Sequence, residues 1–198
     1  MSGLSGSPGV AAAELLALTW LVAELTVRLR AVSRFGPSNP SGSVFRDRGS
    51  FWAILLLAWS GVVAAYYLAA AGRGPFLPPL AWVAGVVVGG AGIALRAWAI
   101  DVLGRYFAVV VRIVPDHRIV RTGPYRWLRH PSYTGAFVAI LGIVIALGSV
   151  LGIIVGVLTA LAAFVYRIHV EEDALRARFG EEYLAYARET SRLFPGLY

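Results

Sequence analysis

Residues 131–168 read PSYTGAFVAILGIVIALGSVLGIIVGVLTALAAFVYRI, and this largely apolar stretch decides the fold. Gly148 and Ser149 interrupt it near the middle with a turn signal. Each of its two arms is just long enough to cross the hydrocarbon core of a bilayer, roughly 30 Å, as an α-helix. The stretch therefore predicts a tight hairpin of two membrane-spanning helices.

Three further apolar segments precede this hairpin, and they are Val10 to Leu29, Phe51 to Ala71 and Leu80 to Ile100. Because 58% of the 198 residues are hydrophobic, the chain is much more apolar than a soluble domain. The sequence predicts an all-α fold, a polytopic membrane bundle of about five transmembrane helices. A charged, amphipathic helix is expected to follow on the cytoplasmic side, at the C-terminal end.

The chain shows no internal repeat, so residues 1–198 are expected to form a single membrane domain. Residues 1–100 would hold the three N-terminal helices, and residues 101–198 the hairpin, the tail and the chemistry. Gly85 and Gly89 form a small-residue face that predicts close helix packing. No arginine precedes Arg28, so the first apolar run is expected to be a retained helix and not a cleaved signal peptide.

The basic residues, 18 in all, are all arginine, and they give the chain a net charge of +7. In a soluble protein this charge would suggest nucleic acid as a partner, but in a membrane protein it indicates orientation. In the predicted topology every arginine except Arg73 lies on one side, which the positive-inside rule assigns to the cytoplasm. We expect an outward N-terminus, a cytoplasmic active site and C-terminus, membrane lipids as partners and no nucleic acid. The all-arginine basic set favours a bacterial plasma membrane.

Metal chemistry has little support in the sequence. Cysteine is absent, and three scattered histidines offer no zinc spacing. No metal site is therefore expected.

The densest polar stretch in the apolar half is GPYRWLRHPSYTG, residues 123–135. Its Gly-Pro start predicts a turn, and Pro131 suits the first turn of a helix. His130 and Tyr133 are three residues apart and could face one ligand. The spacing fits equally well with an interfacial belt of aromatic rings and arginines that reach lipid phosphates.

A second cluster, RIHVEEDALRARFGEEYLAY, covers residues 167–186. On a helix, Arg167 would pair with Glu171, and Glu172 with Arg176, as ordinary surface pairs four residues apart. Anionic headgroups repel acids at a membrane surface, so packing explains three consecutive acids poorly. A cationic or hydroxyl-rich ligand would satisfy them, and S-adenosylmethionine has both features.

Arg96 and Arg167 lie near the inner ends of two apolar helices, where a charged side chain either snorkels to the interface or faces the bundle interior. If both point inward, they form a paired anion site suited to a carboxylate. Glu24 and Arg28, four residues apart on the first helix, are interpreted as a structural pair.

These pieces together resemble the isoprenylcysteine carboxyl methyltransferases, integral membrane enzymes that methylate the carboxylate of a prenylated cysteine. The resemblance covers roughly Leu95 to Phe194. Its pieces are, in order, Leu95-Arg96, HRIVRTGPYRWLRHPSYTG from His117, Arg167 with Glu171-Glu172, and FGEEYLAY from Phe179. RHPSY with a downstream Glu-Glu pair is specific to this superfamily, and FGEEYLAY favours this branch.

The resemblance implies S-adenosylmethionine as cofactor, S-adenosylhomocysteine as product, and a lipophilic or prenylated acceptor. It places Arg96 and Arg167 near the acceptor carboxylate. The cofactor-binding positions it implies are Gly123, Tyr125, Arg129, His130, Pro131, Tyr133, Glu171 and Glu172. The chain is similar to short prokaryotic members, because it has fewer helices than eukaryotic enzymes and has Val109 where those tend to have histidine.

Three other functions stay open at this point. A phospholipid amine N-methyltransferase shares the paired glutamates but must remove a proton from its acceptor, and two inward arginines disfavour a cationic acceptor. A sterol-type reductase using a nicotinamide resembles the His-Pro-x-Tyr segment, but the Gly-x-Gly-x-x-Gly turn of many dinucleotide binders is absent. A non-catalytic scaffold would bind neither cofactor.

Overall fold

The computed structural model describes residues 7–35, 44–45, 47–107, 112–113 and 117–196. Six helices organise these residues, confirming the all-α fold class. They are α1 Pro8–Phe35, α2 Ser50–Ala70, α3 Ala81–Leu103, α4 Pro131–Leu147, α5 Val150–Phe179 and α6 Glu181–Glu189. Two-residue strands β1 Val44–Phe45 and β2 Arg112–Ile113 pair antiparallel.

Four of the helices, α1, α2, α3 and α5, are long and apolar enough to cross a membrane. The remaining predicted span is α4, the first arm of the hairpin. It has 17 residues and is shorter, about 25 Å at 1.5 Å per residue. It lies in the centre of the bundle and is buried on nearly all sides, which explains why it is apolar all round. The prediction of about five apolar helices in a membrane bundle is confirmed.

The hairpin turn lies where the sequence predicted it. Gly148 ends α4 in the left-handed region with φ 78°, and Ser149 begins α5 by accepting a hydrogen bond from the Gly152 amide at 3.2 Å. The connection between α2 and α3 pairs with this turn, since the Leu77 amide donates to the Gly148 carbonyl at 2.9 Å. These two connections form one end of the bundle.

The opposite end gathers the polar segments. The Tyr166 hydroxyl of α5 donates to the Arg48 carbonyl, just before α2, at 2.8 Å. The carbonyl of Ser191, after α6, accepts from the Arg129 amide at 2.8 Å. The segments that precede α2, precede α4 and follow α5 therefore meet on one side, as the arginine distribution predicted.

Small residues let α3 and α4 approach closely. A Cβ added at Gly85 would lie 2.6 Å from the Ala146 amide nitrogen, and one at Gly142 would lie 2.3 Å from Cα of Gly89. No side chain fits between backbones at these distances. The predicted packing face of Gly85 and Gly89 is confirmed, and its partner is α4.

The polar tail differs in detail from the predicted single amphipathic helix over residues 167–186. Helix α5 continues without a break for 30 residues, about 45 Å, so its last turns extend beyond a hydrocarbon core of roughly 30 Å. It ends at Phe179. Gly180 follows with a φ of 51°, a backbone conformation that glycine adopts at little cost, and α6 begins as a separate helix at Glu181.

Candidate active site

A cavity with charged and hydroxyl side chains in its walls, which we call the polar cavity, opens at the arginine-rich end of the bundle. The space in and in front of it is about 850 Å³, open solvent included. Its walls come from the end of α3, the segment before α4, the start of α4, the last turns of α5, and α6. Six of the predicted site residues line it, and they are Tyr125, Arg129, His130, Tyr133, Arg167 and Glu171. The structure thus brings together residues that lie up to 46 positions apart in the sequence.

The start of α4 sets the direction of two of these side chains. Pro131 occupies the first helical position, and the His130 carbonyl accepts from the amides of Tyr133 and Thr134, both at 3.0 Å. The rings of His130 and Tyr133 stack with centroids 5.6 Å apart and planes 17° apart. Both rings line the cavity, so this placement agrees with the expectation that they face one ligand.

Gly123 and Pro131 shape the site without lining it. Gly123 has φ 57°, and a Cβ there would lie 3.0 Å from a methyl group of Val102 on α3. A side chain at Gly123 would therefore be strained both in backbone conformation and in packing. The turn holds the Gly123–Arg126 segment, with Tyr125, against α3.

Glu171 is the acid that faces the cavity. Its Oε2 accepts a hydrogen bond from the Tyr133 hydroxyl at 2.5 Å. The same hydroxyl accepts from Arg167 Nε at 3.0 Å. Arg167, only 2% exposed, also donates from Nη1 to Asp47 and, at 2.7 Å, to the Ser50 hydroxyl. This chain of contacts connects the segment before α2 to the cavity wall.

Glu172, the next residue, lies outside the cavity lining. It is 1% exposed and contacts three guanidinium groups, which we call the arginine cluster. Arg129 Nε lies 3.0 Å away, Arg176 Nη2 2.9 Å and Arg192 Nη2 3.1 Å. The predicted pairing of Glu172 with Arg176 is confirmed, while the two other arginines are distant in sequence.

Arg96 also lies outside the polar cavity. It forms an ion pair with Glu24 of α1 and donates to the Ser132 carbonyl at 3.0 Å. It lines a separate, small cavity between α1 and α3. Arg96 and Arg167 are thus held by different acids, and their predicted joint contact with a carboxylate stays a prediction. The side chain of Arg28 and the whole of Val109 lie outside the described residues.

Several cavity residues were not among the predicted site residues. Tyr183 and Tyr186 of α6 line it, and the FGEEYLAY motif that contains them was the available signal. The Tyr183 hydroxyl is buried and makes no hydrogen bond within the described part of the chain. Asp47, which does not line the cavity but contacts Arg167, was also missed, although it precedes α2 as an acid among arginines.

Tyr125, Tyr183 and Tyr186 of the cavity wall stay protonated at neutral pH, because each has a raised pKa. Burial raises the pKa of Tyr186 to about 12, and its hydroxyl donates to the Tyr125 carbonyl at 2.7 Å. Burial, and then the negative charge of Glu171, raises the pKa of Tyr125 well above its usual value. Burial likewise raises the pKa of Tyr183. The site therefore combines neutral aromatic faces and hydroxyl donors with the carboxylate of Glu171 and the buried guanidinium of Arg167.

Comparison with known proteins relates the part of the chain that carries this site to one family. A sequence model of the Isoprenylcysteine carboxyl methyltransferase (ICMT) family matches residues 83–177, which include α4 and most of α3 and α5. A probable protein-S-isoprenylcysteine O-methyltransferase of Oryza sativa subsp. indica is 34% identical over 106 residues, 52% of this chain and 56% of the relative. The protein-S-isoprenylcysteine O-methyltransferase of Tribolium castaneum is 34% identical over 125 residues, 61% of this chain and 44% of the relative.

A solved structure shares the fold. The eukaryotic intramembrane Ras methyltransferase ICMT, solved without a monobody, superposes with a TM-score of 0.57 at 27% identity. The match covers 78% of this chain and 55% of that chain. The chain spans about half the length of the relatives it matches. The family model, the relatives and the shared fold agree that the region from α3 to α5 is similar to the isoprenylcysteine carboxyl methyltransferases.

Proposed function

We propose that the chain is a membrane methyltransferase that transfers a methyl group from S-adenosylmethionine to the carboxylate of an isoprenylcysteine-like acceptor. The observation that carries this proposal is the polar cavity, where Glu171 and Arg167 meet at one tyrosine hydroxyl. A carboxylate and a guanidinium side by side provide one contact for a cationic cofactor and one for an anionic acceptor.

The residues of the cavity fit the cofactor. Tyr183 lines the cavity, and its buried hydroxyl makes no hydrogen bond within the described residues. Glu171 would hold the cofactor's ammonium or ribose hydroxyls, and the faces of Tyr125, Tyr133 and Tyr183 would stabilise its positive charge. When bound, S-adenosylmethionine supplies a methyl group on a positively charged sulfur.

Arg167 is the proposed ligand of the acceptor carboxylate. A carboxylate with a reference pKa of roughly 3.5 is already ionised at neutral pH, so no side chain has to remove a proton. The work of the protein is to align the two reactants, and such positioning contributes about 7–11 kcal/mol in favourable cases. The prenyl group would stay in the bilayer, at about 0.8 kcal/mol per buried CH₂.

The proposed orientation follows the arginines. The segments that carry them gather at the cavity end of the bundle, and the positive-inside rule assigns that end to the cytoplasm. The N-terminus would then lie outside, and the cofactor would enter the cavity from the cytoplasm. Cysteine-labelling of single-cysteine variants is simple here because the chain has no cysteine of its own.

The deciding experiment is a transfer assay with the purified chain in liposomes and methyl-labelled S-adenosylmethionine. We expect label in a farnesylated cysteine analogue with a free carboxylate and none in the matching carboxamide. Mild base should release the label as methanol, because the product is an ester. If only extracted phospholipid is labelled, and the label resists base, the chain is an amine methyltransferase instead.

A further inference from the structure

The buried carboxylate of Glu172 has no part in the proposed transfer. It is 1% exposed, yet it directly follows Glu171, which lines the cavity. Its Oε1 accepts from Arg129 Nε at 3.0 Å, and its Oε2 accepts from Arg176 Nη2 at 2.9 Å and from Arg192 Nη2 at 3.1 Å. Such a group would be very costly to bury unless its charge were balanced, and the arginine cluster balances it.

The surroundings of Glu172 leave no acceptor position for a ligand. In addition to the arginine cluster, Nε2 of His130 lies 3.4 Å from Oε1. A cofactor hydroxyl or ammonium group would have to displace a guanidinium to reach either oxygen. Glu172 is therefore poorly placed to bind a ligand directly.

The arginine cluster connects three separate parts of the chain. Arg129 precedes α4, Arg176 belongs to α5 and Arg192 follows α6. Arg129 also donates from Nη1 to the carbonyls of Ala187 and Thr190, at the carboxyl end of α6. One buried acid thus holds both the start of α4 and the segment after α6.

Backbone hydrogen bonds run through the same place. The Ser191 amide donates to the Trp127 carbonyl at 3.0 Å, and the His130 amide donates to the Arg192 carbonyl at 3.1 Å. These bonds dock residues 190–193 onto the residues that begin α4. The docked segment continues as Leu193, whose carbonyl accepts from the Thr134 hydroxyl at 2.8 Å.

Docking of this segment sets one wall of the polar cavity. Helix α6 has nine residues, too few to be stable alone in water, so its position depends on tertiary contacts. Its Tyr183 and Tyr186 are buried, and both line the cavity. If α6 moved away, the cavity would lose two aromatic faces and would open to water.

We propose that Glu172 is a positioning residue, which holds α6 and residues 190–193 over the cofactor cavity through Arg129 and Arg192, while its neighbour Glu171 contacts the cofactor. This inference rests on the proposed function for the identity of the cofactor. The two adjacent acids then have different roles. Arg192, which does not line the cavity, would affect cofactor affinity through the position of α6.

The test uses the full chain in nanodiscs, with five variants: Glu172→Gln, Arg192→Gln, Arg192→Lys, Glu171→Gln and, as matched control on the exposed surface of α6, Glu182→Gln. S-adenosylmethionine affinity is measured by calorimetry, and docking of α6 is measured by the rate of tryptic cleavage after Arg188. Arg192→Lys, which keeps the charge, serves as the conservative variant.

We expect Glu172→Gln and Arg192→Gln to weaken cofactor affinity by at least about tenfold, the equivalent of one lost charge-assisted hydrogen bond, and to speed cleavage after Arg188. Arg192→Lys should keep part of the cofactor affinity and part of the protection from cleavage that Arg192→Gln loses. Glu171→Gln should weaken affinity without speeding cleavage, and Glu182→Gln should change neither.

Two results overturn the inference. In one, Glu172→Gln loses cofactor affinity while cleavage stays slow, which would make Glu172 a direct ligand. In the other, Arg192→Gln speeds cleavage while affinity stays that of the unaltered chain. An unaltered chain that binds no S-adenosylmethionine would instead remove the proposed function, and with it the cofactor named here. If Glu172→Gln does not fold, the Arg192 variants decide alone.

Discussion

The hydroxyl of Tyr133 lies 2.5 Å from Oε2 of Glu171 and is therefore within short hydrogen-bond distance of the acid that lines the cavity. The same oxygen accepts from Nε of Arg167, so one phenol links the proposed cofactor ligand to the proposed acceptor ligand. A change at Tyr133 should affect both halves of the site without altering any charge.

The first prediction concerns Tyr133→Phe. The variant removes the hydroxyl and keeps the ring that stacks on His130, so Glu171 loses a donor worth about 1.5–3 kcal/mol. We expect S-adenosylmethionine affinity, measured by calorimetry, to fall about 10- to 100-fold. Tyr67→Phe, on a side chain that is 67% exposed on α2, is the control and should bind normally. Equal affinities in the two variants would exclude the hydroxyl from cofactor binding.

The second prediction separates the two arginines that the family resemblance places near the acceptor carboxylate. Arg167 lines the cavity and Arg96 does not. Arg167→Gln should lower kcat/KM for a carboxylate acceptor by about 100-fold or more, the loss of a charge-assisted pair. Arg96→Gln should leave the KM for the acceptor unchanged, measured on the folded fraction of the variant. A similar rise in KM for both variants would show that the acceptor reaches Arg96.

The third prediction concerns the ion pair between Arg96 on α3 and Glu24 on α1, whose side chains are each 14% exposed. Removing one partner of a buried pair costs about 3–5 kcal/mol, because the other charge is left uncompensated. Arg96→Gln and Glu24→Gln should each lower the unfolding free energy in mixed micelles, and the double variant should lose less than the sum. Additive losses would mean that each residue acts through other contacts.

The features that could be predicted from the sequence are those that short local patterns encode. Apolar lengths located the helices, Gly148-Ser149 marked the hairpin turn, and the three-residue spacing of His130 and Tyr133 placed both rings on one wall. Each of these signals lies within one helix or one turn, so periodicity and turn chemistry were sufficient.

Long-range partners were not predictable in this way. Asp47 and Arg167 are 120 positions apart, and no local pattern indicates that one neutralises the other. Glu172 appeared to be an ordinary surface partner of Arg176, because the spacing of four residues was visible and the approach of Arg192 was not. The adjacent acids were assigned one role because sequence does not show which faces a cavity and which is buried.

The last prediction tests the close approach of α3 and α4. The first residues of α4 form part of the cavity wall. A Cβ at Gly92 would lie 2.4 Å from the Ala139 amide nitrogen, a backbone atom that cannot move alone. Gly92→Ala should therefore push the helices apart and cost about 1–3 kcal/mol of unfolding free energy, as overpacked cores do. Gly90 is the matched control, since nothing lies within 4 Å of a Cβ there, and Gly90→Ala should be neutral or stabilising by up to about 1 kcal/mol. Thermal unfolding in detergent compares the two variants.

Because α4 begins with the residues that follow His130, Gly92→Ala should also weaken cofactor affinity, whereas Gly90→Ala should not. Equal stability of both variants would contradict backbone contact between α3 and α4.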